Sequence, residues 1–165
     1  MLRDTNLIPL SHQHQHALAL CVRIDRAVQA GDADIRAFAA EIQQIFEQEI
    51  QFHFLAEESV IFPPAGEFAE MQVLVAELIA EHTVLREFVG LARRLELDNT
   101  TLQKFAALLS RHIKKEERQL FEQIQQLMSP EELLALGNAL NEALKPAQEL
   151  CLLSNQATRL RPKTP

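Results

Sequence analysis

Tryptophan and tyrosine are both absent from the 165 residues, and glycine occurs only four times. The first absence means that any redox chemistry runs without a tyrosyl or tryptophanyl neighbour. The second disfavours a turn-rich β fold. Two cysteines, Cys21 and Cys151, are too few for a disulfide framework and fit a reducing, cytoplasmic compartment. No apolar run is long enough to span a bilayer. The opening MLRDTNLIPL has no basic stretch followed by an apolar one, so no secretory leader is expected. Positive charge is also short. The formal net charge is −7, which argues against nucleic acid and anionic membranes as partners.

What is present is apolar periodicity. Apolar residues make up 47% of the chain and recur at spacings of three and four. The length suits one domain, residues 1–165. A first helix is expected from Ser11 to Ala30, with Ala17, Leu18, Cys21, Ile24 and Val28 inward and Gly31 as its stop. Asp32 or Asp34 can cap a second helix carrying Ile35, Phe38, Ile42, Ile45 and Phe46, ended by Pro63-Pro64. A third runs from Glu67 to Leu95 with Leu74, Leu78, Leu85 and Val89 inward. Residues 98–101 cap a fourth with stripe Leu102, Phe105, Leu109, Phe121 and Ile124. Ser129-Pro130-Glu131-Glu132 is a capping box opening a fifth, over about 130–145, with Leu133, Leu134, Leu136 and Leu140, that meets Pro146. Residues 156–165 read as a frayed basic tail. The expected fold is all-α: an antiparallel up-down-up-down four-helix bundle over about 8–128, with an additional C-terminal helix.

Two segments repeat. HFLAEESVIF (53–62) and HIKKEERQLF (112–121) place histidine, two glutamates and phenylalanine in one register: His53/His112, Glu57/Glu116, Glu58/Glu117 and Phe62/Phe121. A lone histidine on an apolar stripe precedes each copy, His82 being the one before the second. The chain thus reads as two helical hairpins related by an approximate two-fold axis. Residues four apart share a helix face, so each H-x-x-x-E pair aims two donors the same way. Both faces are otherwise apolar, and no lysine or arginine lies on those inward stripes. Buried carboxylates without a positive partner are costly. A metal ion meets that need, and imidazole with carboxylate suits iron, manganese or zinc. Glu58 and Glu117 are turned about 100° away and are expected in solvated or supporting roles. No histidine follows a glutamate by three residues, which excludes the ferritin-like pattern, and no H-E-x-x-H is present. Neither a glycine-rich phosphate loop nor a Ser/His/Asp pattern stands out.

In the opening LSHQHQHAL, only His14 shares the stripe of Leu10, Ala17, Leu18, Cys21 and Ile24. His12 and His16 share a face that continues through Ala19, Arg23 and Arg26 and reads as solvated. Cys21, two turns after His14, is expected to be an inert core residue.

The segments LSHQHQHAL, HFLAEESVIFP, AEHTVLREF and HIKKEERQLFE, covering about residues 8–125, resemble the four helices of the hemerythrin family in its HHE cation-binding branch. The resemblance implies a non-haem di-iron centre. Its bridging carboxylates would be Glu57 and Glu116, with His14, His53, His82 and His112 as terminal ligands. Oxygen-carrying hemerythrins have a further histidine one turn from the third-helix ligand; here Leu78 and Arg86 occupy those positions. They also place an aspartate five residues after the fourth-helix histidine, where this chain has Glu117; Glu116, four residues on, matches the HHE branch better. Four histidines make the two iron positions nearly equivalent, with open sites on both. The function implied is binding or sensing of dioxygen, nitric oxide or iron rather than catalysis. The alternatives are a di-iron peroxidase or oxidase and a metal-free helical interaction module. Zinc or manganese can stand in for iron in the purified protein, and a homo-oligomer is compatible with the sequence.

Overall fold

The structure is a computed structural model that describes the backbone of residues 2–159 and the side chains of residues 2–147 and 149. Among the described residues there are five long helices and no strand. The first helix spans Ile8–Ala30. It begins three residues earlier than expected because Pro9 sits in its first turn, where a missing N–H costs nothing. Gly31, with φ +75°, ends it in the left-handed conformation that glycine adopts without strain.

The second helix covers residues 35–66 and is capped by Asp34, whose side chain accepts from the Ala37 amide at 3.0 Å. Pro63-Pro64 does not end it; the helix continues to Gly66. A wide π-helical turn, Glu57–Ile61, immediately precedes, so the prolines fall in the first turn of a fresh α-helical segment, Phe62–Gly66. The third helix, Gln72–Arg93, starts later than expected, behind a short 3₁₀ turn at Ala69–Met71. The fourth covers residues 99–127, opened by the capping box of Asp98 and Thr101.

The fifth helix, Pro130–Arg159, opens on the expected Ser129/Glu132 box, with the Ser129 amide donating to Glu132 at 2.8 Å. It passes through Pro146 instead of stopping there. Leu144 and Ala147, on either side, are buried, and their packing holds the backbone helical past the proline. Residues 156–159, expected as tail, therefore belong to this helix, and residues 160–165 lie outside the described residues. Leu134 faces solvent; Leu133, Leu136 and Leu140 occupy the buried side, and a step of about 100° carries Leu134 off it.

Two apolar clusters fill the interior. One gathers Leu10, Ile61, Phe62, Leu74, Leu78, Leu120 and Ile124, and the fifth helix covers it with Leu136, Leu140 and Leu144. The other gathers Ala17, Leu20, Ile42, Phe46, Ile50, Leu85, Val89, Phe105 and Leu109. Along each of the first four helices, one polar inward layer separates the two clusters: His14, His53 with Glu57, His82, and His112 with Glu116.

The fifth helix approaches the N-terminal segment at Gly137. A Cβ there would lie 2.6 Å from Asn6 Cβ and Cγ, and Asn6 is tied to Asp4 by its amide at 2.8 Å. Gly137→Ala should therefore destabilise the fold by about 1–3 kcal/mol in urea unfolding. In an unobstructed helix the same change stabilises by about 0.5–1 kcal/mol, so a gain in stability contradicts this packing.

Candidate metal centre

The polar layer brings His14, His53, Glu57, His82, His112 and Glu116 together, all of them buried. They fall into two sets that share both carboxylates: His14, His53, Glu57 and Glu116, and His82, His112, Glu57 and Glu116. Within each set the donor atoms lie within 4.8 Å of one another. His14 Nε2 faces His53 Nε2 at 3.0 Å, and His82 Nε2 faces His112 Nε2 at the same distance. Each carboxylate divides its oxygens between the sets. Glu57 turns Oε1 to His53 (3.2 Å) and Oε2 to His82 (3.3 Å). Glu116 turns Oε2 to His14 (3.2 Å) and Oε1 to His112 (2.8 Å).

These imidazoles are the only groups that the carboxylates face. Apart from them, none of the four buried carboxylate oxygens has a hydrogen-bond partner. Each imidazole instead commits its other nitrogen outward. His14 Nδ1 donates to Glu117 (2.7 Å), His82 Nδ1 to Glu58 (2.8 Å), His112 Nδ1 to Glu81 (2.9 Å) and His53 Nδ1 to the side-chain oxygen of Gln13 (2.9 Å). In the neutral imidazoles that pattern puts the proton on Nδ1 and turns the Nε2 lone pairs toward one another and toward four carboxylate oxygens. Something positive belongs between them. Adjacent donors around a cation with bonds of about 2.1 Å lie roughly 3.0–3.4 Å apart, close to the separations found here. The donor set fits a cation.

Cations on the outside complete the arrangement. Arg86 grips Glu58 with two bonds, at 2.8 and 3.0 Å. Arg3 reaches Glu117 at 2.6 Å, and Lys115 reaches Glu81 at 2.9 Å. Glu58 and Glu117 thus fill the supporting role expected of them. Gln13, Glu81 and the three cations escaped the sequence reading. A signal existed for two of them, since Gln13 and Glu81 each stand immediately before a lone histidine, in the same register. His12 and His16 lie on the exposed face, where His16 contacts Glu49 at 2.9 Å. Cys21 belongs to the apolar cluster, and burial pushes its thiol up to about 12, which keeps it protonated and inert.

Glu57 and Glu116 each open a π-helical turn, Glu57–Ile61 and Glu116–Leu120. A third such turn, Phe46–Ile50, lies one helical turn before His53. Wide turns of this kind recur at functional sites because they re-aim side chains. A cavity reaches the cluster beside this third turn, between Gln13, Ala17, Glu49, Ile50 and Leu109. It offers about 20 Å³ to the centre of a water-sized molecule. A single water needs about 10–15 Å³.

In the metal-free chain, burial pushes the pKa values of His14, His82 and His112 down, but the carboxylates more than offset it. Glu116 and Glu117 raise His14 to about 9, and Glu116 and Glu81 raise His112 to about 10. Burial pushes Glu81 and Glu117 up, yet His112 with Lys115, and His14 with Arg3, bring each down to about 2. The raised histidines stabilise the fold fully below their unfolded value of 6.5, and that stability is lost as pH rises through about 9–10. The depressed carboxylates stabilise above 4.5 and lose that contribution as pH falls toward 2. Chelator-treated protein should therefore melt at its highest temperature between about pH 4.5 and 6.5 and lose stability steadily up to pH 10. A flat profile over that alkaline range contradicts the assignment. Because His14 and His112 are protonated at neutral pH, cation uptake should release about two protons or more, measurable with a pH indicator.

A search of curated proteins and a search of solved structures each return no match to this chain. A family model does match, that of the hemerythrin HHE cation-binding domain, over residues 9–124. The match takes in all six clustered residues and nearly all of the four helices that carry them. With the four helices and the buried histidine–carboxylate layer in place, the chain belongs to the hemerythrin HHE cation-binding domain family.

Proposed function

We propose that His14, His53, His82, His112, Glu57 and Glu116 hold two iron ions, and that the protein binds or senses a small ligand there. The observation that carries this reading is the division of the Glu57 and Glu116 oxygens between two histidine pairs, with no other partner for any of the four. Two carboxylates so disposed can serve two cations at once. The reading takes residues 1–165 as one domain whose first four helices run up-down-up-down. Its support is the order of the apolar clusters, which reverses from each of these helices to the next.

Imidazole and carboxylate donors accept several first-row metals, and zinc competes well against ferrous iron in such a set. The assignment to iron follows the family. Bound iron would supply an open coordination position and electrons shared across the pair. The chain's own contribution is enclosure and orientation. Ala17, Ile50, Leu109 and Ile113 give the cavity apolar walls that keep bulk water from the cluster. Glu58, Glu81, Glu117 and Gln13 fix each imidazole with Nε2 inward. The cavity has room for little more than one water-sized molecule, which favours a small ligand over an organic substrate at the cluster. The compartment that suits this reading is the cytoplasm.

Anaerobic loading with ferrous iron should give about two irons per chain, and oxygen or nitric oxide should then change the absorbance spectrum. Retention of one iron per chain or fewer overturns the reading. His14→Ala should lower iron affinity about 10–100-fold or more, whereas His12→Ala and His16→Ala should leave it within about twofold, since neither faces the cluster. Equal losses in all three would mean that the first helix is rotated from the orientation described.

A further inference from the structure

The repeat makes the two halves of the centre comparable position by position, and they differ at one support. The residue before each lone histidine holds the ring of the H-x-x-x-E histidine in its own hairpin. In the second hairpin that residue is Glu81, on His112; in the first it is Gln13, on His53. Glu81 is itself pinned by Lys115, three residues after His112, which also reaches Glu77 at 3.0 Å. The matching position three residues after His53 is Ala56. A carboxylate locked by an ammonium in one half is thus replaced by a neutral amide in the other, with no cation bonded to it among the described residues. Packing differs in the same sense. Phe54 stacks on His82 with ring centroids 3.7 Å apart and planes 15° from parallel, whereas the ring stacked on His14, Phe121, stands 5.8 Å away. The cavity, moreover, is lined by Gln13, by both histidines of the first half, His14 and His53, and by His112 alone of the second, and does not reach His82.

Resting on the two-cation reading above, we propose that the two halves load unequally. The His82/His112 half is the tight, preformed position that takes up the first ion. The His14/His53 half, held by Gln13, takes up the second and releases it more readily. A carboxylate acceptor makes the imidazole behind it a stronger donor than an amide does, and losing such a support typically lowers metal affinity about 10–100-fold. Gln13 and Glu81 are therefore positioning residues that set the difference between the halves.

The test is a titration of the full-length metal-free protein with Co²⁺, followed by absorbance, with circular dichroism to confirm folding of each variant. Repulsion between two ions can split even equivalent sites into two steps, so variants carry the assignment. His53→Ala should keep the tight step and lose the weak one; His112→Ala should lose the tight step. Glu81→Gln should weaken the tight step by about tenfold or more with little effect on the other, and Gln13→Glu should tighten the weak step by a similar factor. Equal loss of the tight step in His53→Ala and His112→Ala, or equal weakening of both steps in Glu81→Gln, overturns the proposal while leaving the centre itself intact. No Co²⁺ uptake by the wild-type chain overturns the two-cation reading and this proposal with it.

Discussion

Two ionised carboxylates, fully buried and faced by nothing but imidazoles, are the constraint on which the rest of the structure depends. A lone carboxylate in such a place carries a penalty of several kcal/mol, and two of them near each other add mutual repulsion. The chain answers with four imidazoles, one from each of the first four helices, all turned so that Nε2 faces the carboxylates. Protons shared with those imidazoles compensate in the metal-free chain, which is why His14 and His112 titrate so far above the usual histidine range. A cation in each set would compensate better, with full charges at short range.

Everything outward of that layer keeps the imidazoles aimed. Each Nδ1 finds an acceptor, and three of the four acceptors are carboxylates anchored by Arg3, Arg86 or Lys115. The polar layer therefore reads from the centre outward as carboxylate, imidazole, carboxylate or amide, and then a cation. Charges alternate in sign along three of the four spokes, so little net charge is buried although many groups are. The two apolar clusters on either side confine this layer to one level of the bundle, and the fifth helix covers one of them. Pairing of Glu57 and Glu116 with wide helical turns shows how much local irregularity the arrangement tolerates.

Much of this was legible before the structure. Periodicity marked the helices, because a buried helix face needs apolar residues every three or four positions. The in-register repeat marked His53, Glu57, His112 and Glu116, since a costly group placed twice in the same setting has a common cause. Helical phase alone separated His14 from His12 and His16. The prolines misled. Pro63-Pro64 and Pro146 read as helix ends, yet a preceding wide turn in one place and flanking buried residues in the other carried the helix through. The supporting residues were not legible for another reason. Arg3, Gln13 and Glu81 are polar residues at positions that sequence alone assigns to solvent, and only the contact between helices gives each a specific imidazole or carboxylate to hold. Residues 160–165, part of the expected tail, lie outside the described residues.

The central claim is that Glu57 and Glu116 are shared between two cations, one on each histidine pair. Diffraction from crystals of the iron-loaded protein, with anomalous data at the iron edge, tests it most directly. The account predicts two buried peaks, one beside His14 and His53 and one beside His82 and His112, each in contact with both glutamates. A single buried peak, or peaks only at the exposed His12 and His16, would contradict it.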